Sequence, residues 1–153
     1  MKTLENKVVA LTGAGSGIGR ALALALAQRG CHLALADVNA SGLETTVARL
    51  PANIKVTTHI VDVANKDRVY AWADEVAQAH GGVDVIINNA GVATQCTLED
   101  IDYKDFDWVF DIVFYGVLYG TKAFLPYLRQ RPDAHIVNIS SVNGFFPFPG
   151  NGP

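Results

Sequence analysis

The stretch Val8-Val9-Ala10-Leu11-Thr12-Gly13-Ala14-Gly15-Ser16-Gly17-Ile18-Gly19-Arg20 decides the fold of this chain. Lys7 to Leu11 is a short apolar run bounded by Thr12-Gly13, the pattern of a buried strand. From Gly17 to Arg29, Ile18, Ala21, Leu22, Ala25 and Leu26 recur at helical spacing, and Gly30 stops the helix. Gly13, Gly17 and Gly19 therefore sit between a strand and a helix. Glycines in that context let backbone amides approach a pyrophosphate with no Cβ in the way. The helix start, with Ser16, Gly17 and Ile18, would offer free N–H groups and the positive end of its dipole. A glycine-rich turn without a ligand is the plainer alternative.

Outward from that turn, strand and helix alternate. His32 to Asp37 is a second apolar run, ended by an acid. Ser41 to Leu50 is helical and stops at Pro51. Lys55 to Val63 is rich in Val, Ile and Thr, as strands are. Asn65 can cap a helix running to about His80, with Val69, Trp72, Val76 and Ala79 apolar. Gly81-Gly82 turns the chain into a fourth strand, Val83 to Ile87. A long helix from about Tyr103 to Arg129 and a fifth strand, His135 to Ile139, follow. Val92 to Asp102 is the longest irregular segment and could border a site. Continuous apolar strands separated by helices predict an α/β fold, a doubly wound, Rossmann-like parallel sheet covered on both faces. One domain of 153 residues is expected.

Asp37 adds chemistry to the first turn. It closes the second strand about 20 residues beyond the glycines, where an acid bonds the adenosine ribose hydroxyls of a dinucleotide. A carboxylate there repels a 2′-phosphate, and position 16 is Ser rather than a cation, so NAD is expected over NADP. Alternatively Asp37 caps the next helix, or does both. The composition agrees with a globular protein: 50% hydrophobic and 18% charged, with a net charge of -3. The scattered Lys and Arg give no basic footprint for nucleic acid. Two cysteines, Cys31 and Cys96, lack CxxC spacing, so neither a disulfide framework nor a metal site is suggested. The polar start lacks a signal-peptide core, and apolar stretches are broken before the ~20 residues of a membrane span, so a cytoplasmic location is expected.

The spacing Thr12-Gly-x-x-x-Gly-x-Gly19 resembles the short-chain dehydrogenase/reductase family rather than the GxGxxG fingerprint. Three further motifs agree in order. Asp62-Val63 resembles the family's adenine-contacting pair. Asn88-Asn89-Ala90-Gly91 resembles its NNAG motif, which implies that Asn89, Ala90 and Gly91 lie against the cofactor ribose. Ile136-Val137-Asn138-Ile139-Ser140-Ser141 resembles its fifth strand with the catalytic serine, matched by Ser141. Singly, Asp62 could cap a helix, the asparagines could satisfy loop backbone, and the serines could end a strand. The resemblance implies hydride transfer between NAD and the carbon of a small alcohol or ketone, and a homo-oligomer for the full-length form.

Two departures follow. The resemblance implies a tyrosine acid/base after Ser141 with a lysine close by, the lysine being needed because an unperturbed tyrosine, with a pKa of ~10, is a poor base at neutral pH. The last Tyr is Tyr127 and the last Lys is Lys122. By family spacing the tyrosine falls just beyond Pro153, so the chain reads as an incomplete dinucleotide-binding domain, cut before its acid/base pair and inactive alone. In Asp111-Ile112-Val113-Phe114-Tyr115-Gly116-Val117, Val113 occupies the place of an asparagine that holds a relay water in the family. Phe145, Phe146 and Phe148 border either an apolar substrate or a missing segment. The rival reading is a non-catalytic nucleotide-binding or interaction module, or an inactive truncated product.

Overall fold

The computed structural model describes residues 3–144 and residue 146. Phe145 and Phe148 lie outside the described residues. Five strands, β1 (Val8–Thr12), β2 (His32–Asp37), β3 (Val56–Ile60), β4 (Val85–Asn88) and β5 (His135–Asn138), form one sheet in the order β3-β2-β1-β4-β5. Every pairing is parallel, with Ala10 opposite Ala34 on one side and Ile86 on the other. The strand order reverses between β1 and β4, which makes a crevice above their C-terminal ends.

Helices cover both faces because the pleat alternates apolar side chains to both. Val9, Leu11, Leu33 and Leu35 pack with Ala23 and Ala27 of α1 (Gly17–Ala27) and Leu43 of α2 (Ala40–Val47). Val8, Ala10, Ala34 and Ile86 meet α3 (Lys66–His80) and the long helix. There Trp72 stands edge-on to Phe124, with ring centroids 4.8 Å apart. Asn65 caps α3 by accepting from Arg68 N at 3.0 Å, and Gly81 closes it at φ 72.

The long helix runs Tyr103–Leu128. It comprises α4 (Tyr103–Phe110), a π-helical turn (Asp111–Tyr115) that the sequence pattern did not suggest, and α5 (Gly116–Leu128). By length and composition alone it could cross a membrane, although Asp111, Gly116, Gly120 and Lys122 break its apolar stretches as the sequence reading expects. Its Val109, Ala123, Phe124 and Leu128 are buried within the fold. The opposite side exposes Trp108, Phe110, Val113, Phe114, Tyr115 and Leu118. All four residues of β5 are exposed as well. Beside β5 an open hollow of about 1320 Å3 has Val9, Val85, Ile87 and Val137 of the sheet and Leu24 of α1 on its wall. It lies away from the glycine turn.

On the other edge, β3 and α3 share a polar chain. Arg68 grips Glu75 through two bonds, of 2.9 and 3.2 Å. Glu75 meets His59 Nδ1 at 2.9 Å, His59 Nε2 meets Thr57 Oγ1 at 3.0 Å, and Thr57 Oγ1 meets His80 Nε2 at 3.0 Å.

Candidate functional site

The crevice at the strand-order reversal is a cavity of about 350 Å3. Its wall gathers the glycine turn (Gly13, Ser16, Gly17, Ile18 and Gly19), Asp37 from the end of β2, and Asp62-Val63 from beyond β3. Asn89, Ala90 and Gly91, after β4, complete it. The structure thus brings all eleven of the expected cofactor positions together. Val92, the start of the irregular segment expected to border a site, also lines the wall, as do Val38, Val61, Ile112 and Ile139, which the sequence reading missed. Their one signal is position: they follow strand ends or, for Ile112, lie within the π-helical turn.

The turn is held open by specific geometry. Gly17 has φ +46, and a Cβ built there meets nothing within 4 Å. Gly19 packs so tightly that a Cβ would come 1.9 Å from the Gly13 carbonyl oxygen. Ser16 is extended and gives α1 no side-chain cap, whereas Asn39 and Asp102 cap α2 and α4. The first amides of α1 have no intrahelical acceptor, so this helix start suits an anion.

The Asn-Asn segment bolts onto that turn. Thr12 Oγ1 accepts from the amides of Asn89 (2.9 Å) and Ala90 (3.0 Å). Asn89 Nδ2 donates back to the Thr12 carbonyl at 2.9 Å. Asn88 faces the other way: its Nδ2 donates to Asn138 Oδ1 at 2.8 Å and Thr121 Oγ1 at 3.3 Å, tying β4 to β5.

Asp37 turns one carboxylate oxygen to the Gly15 amide (2.8 Å) and the other to the Asn39 amide (2.9 Å). The cap of α2 is Asn39, which accepts from Gly42 N at 3.0 Å, so the capping alternative for Asp37 fails. Asp62 likewise is not the cap of α3; its Oδ1 accepts from Ala64 N at 3.0 Å. No Lys or Arg stands on the cavity wall among the described residues.

Ser141 lies past β5, exposed, and its Oγ accepts from Asn143 N at 3.2 Å. It does not line the cavity, although Ile139 does. Val113 is 45% exposed on the π-helical turn, next to the wall residue Ile112. Phe146 is exposed.

A five-stranded parallel sheet in this order, with a glycine turn at its reversal point, defines a Rossmann-type fold. The chain belongs to the short-chain dehydrogenase family, whose sequence model matches residues 7–153. SadH of Mycobacterium tuberculosis, named as an oxidoreductase, is 45% identical over 151 residues, covering 98% of this chain and 55% of that protein. The 3-oxoacyl-[acyl-carrier-protein] reductase FabG of Thermotoga maritima is 35% identical over 150 residues, covering 96% of this chain and 60% of that protein. A short-chain dehydrogenase/reductase from Burkholderia phymatum, solved in complex with NAD, superposes with TM-score 0.95 at 41% identity, covering 99% of this chain and 55% of that one. The chain therefore spans little more than half the length of these proteins.

Proposed function

We propose that this chain is the cofactor-binding portion of an NAD-dependent oxidoreductase that interconverts a small alcohol and its carbonyl compound. One observation carries the reading. The cavity at the strand reversal collects the open glycine turn, the uncapped start of α1, Asp37 and the Asn89–Gly91 segment on one wall. That wall fits a dinucleotide. The empty space over Gly17 would accommodate a pyrophosphate, to which the first α1 amides would donate. Asp37 keeps acceptor capacity for ribose hydroxyls beside its two backbone bonds. Asp62 and Val63 would hold the adenine, and Asn89, Ala90 and Gly91 would hold the second ribose. The Burkholderia relative bound to NAD supports the same assignment. A bound nicotinamide supplies the hydride chemistry.

Ser141 is the group we assign to orient the substrate oxygen. No Tyr or Lys follows Ser141 in these 153 residues, so the tyrosine–lysine acid/base pair expected there is not among them. We therefore expect this chain by itself to bind the dinucleotide without turnover, which is the point where the non-catalytic reading has support. We further assign it to the cytoplasm, and its full-length form to a homo-oligomer joined at the exposed side of the long helix. Calorimetric titration with NAD and NADP tests the proposal. NAD should bind more tightly, and Asp37→Ala should weaken NAD and narrow the difference. Failure to bind either dinucleotide would refute the function, and tighter NADP binding would refute the charge argument.

A further inference from the structure

Behind the glycine turn, two side chains that do not line the cavity hold its backbone. Thr46 of α2 is fully buried, and its Oγ1 donates to the Ala14 carbonyl at 2.8 Å. Gly42 O is a second acceptor for that hydroxyl, at 3.1 Å. Arg20, in the first turn of α1, donates from Nε to Thr46 Oγ1 at 3.0 Å. Its Nη2 donates to the Gly15 carbonyl and reaches Gly42 O at 3.5 Å. The Ala14 carbonyl and the Gly15 amide belong to one planar peptide unit. Thr46 therefore holds one edge of the plane whose other edge, Gly15 N–H, donates to Asp37 Oδ2 at 2.8 Å. Arg20 fixes the next peptide through the Gly15 carbonyl. Glycine has the conformational freedom to let this peptide rotate if either tie is lost.

The guanidinium is spent on carbonyl and hydroxyl oxygens behind the turn. It leaves the cavity side with the Asp37 carboxylate and, among the described residues, no cation on the cavity wall beside it. We infer that Arg20 and Thr46 are positioning residues that orient the Ala14–Gly15 peptide and, through it, the Asp37 carboxylate. They thereby set the preference for a dinucleotide with a free adenosine 2′-hydroxyl over one carrying a 2′-phosphate. The inference rests on the dinucleotide reading of the cavity. Arg20 acts here by geometry; a lysine keeps the charge but lacks the fork that reaches several acceptors.

Thr46→Val removes the hydroxyl at nearly constant shape, Thr46→Ser keeps it, and Arg20→Lys keeps only the charge. Each variant is checked for a cooperative melt, titrated with NAD and with NADP, and its Gly15 amide exchange is followed by NMR without ligand. Thr46→Val and Arg20→Lys should each reduce the NAD-over-NADP ratio about tenfold, the scale of one lost charge-assisted bond, and speed Gly15 exchange. Thr46→Ser should retain both. Equal weakening of NAD and NADP, an unchanged ratio in a folded variant, or Thr46→Ser behaving as Thr46→Val would overturn the inference. If Thr46→Val does not fold, Arg20→Lys carries the comparison. If the parent chain binds neither dinucleotide, the proposed function falls, while Gly15 exchange in the ligand-free variants still judges the clamp.

Discussion

At the residue scale, Gly17 is the sharpest test of the cradle. Its φ of +46 disfavours any side chain with a Cβ, and the space above it is open. Gly17→Ala should cost about 1–2 kcal/mol of stability from the left-handed backbone. It should also weaken NAD binding by filling the cradle. Normal NAD affinity in folded Gly17→Ala would place the phosphates elsewhere. Gly17→Val combines the same backbone with a branched side chain and should destabilise the fold further. These residues were legible because chain order alone puts Gly17, Asp37, Asp62 and Asn89 after the C-terminal ends of parallel strands, which share one edge of the sheet. Val38, Ile112 and Ile139 were not, since an apolar residue beside a strand end or within a long apolar helix reads as core. Nor did anything mark Thr46, whose contact with Ala14 exists only after α2 docks on the turn.

At the element scale, the pairing of β3 with α3 predicts an acid sensitivity. Burial pushes the His80 imidazole down to about 4, aided by the charges of Lys55, His32 and His59. Burial also lowers His59, although its bond to Glu75 opposes the shift. The His80 ring is then neutral in the folded chain near pH 6, while the unfolded chain takes up protons below ~6.5. Stability is full above pH 6.5 and falls as the pH drops toward 4, by on the order of 2 kcal/mol for His80 after discounting its partial exposure. Thermal melts at pH 7 and pH 5 should show this fall, and His80→Gln should flatten it. An identical slope in the variant would assign the sensitivity to other groups. The helix itself was legible to its ends, Asn65 and Gly81, because both carry cap chemistry. The π-helical turn was hidden, because Asp111–Tyr115 continues the apolar pattern of its neighbours and a shift of one hydrogen-bond step leaves no mark in composition.

At the scale of the whole molecule, the doubly wound parallel layout followed from short right-handed crossovers, so the alternation of elements sufficed to anticipate it. What sequence could not apportion was how much of the long helix is covered. Phe106, Phe110, Phe114 and Tyr115 form successive ring contacts with centroids 5.3–5.6 Å apart, and Phe114 is 55% exposed. Together with bare β5, this much apolar surface should drive self-association. Light scattering should find oligomers, and a monodisperse monomer of 16.4 kDa would contradict the expectation. The same material should not oxidise alcohols or reduce ketones at a measurable rate, since absence of the proton donor alone removes ~10²–10⁴-fold. Turnover by mass-verified 153-residue protein would refute that. The two indoles separate these effects optically. Trp72 is sealed against Phe124, whereas Trp108 is 45% exposed on the helix flank. Iodide should quench Trp108 emission and spare Trp72 in a folded monomer. Association through the flank should shield the quenchable fraction without reddening the buried one, whereas unfolding should redden and expose both, so one fluorescence titration distinguishes a change of assembly from a loss of fold.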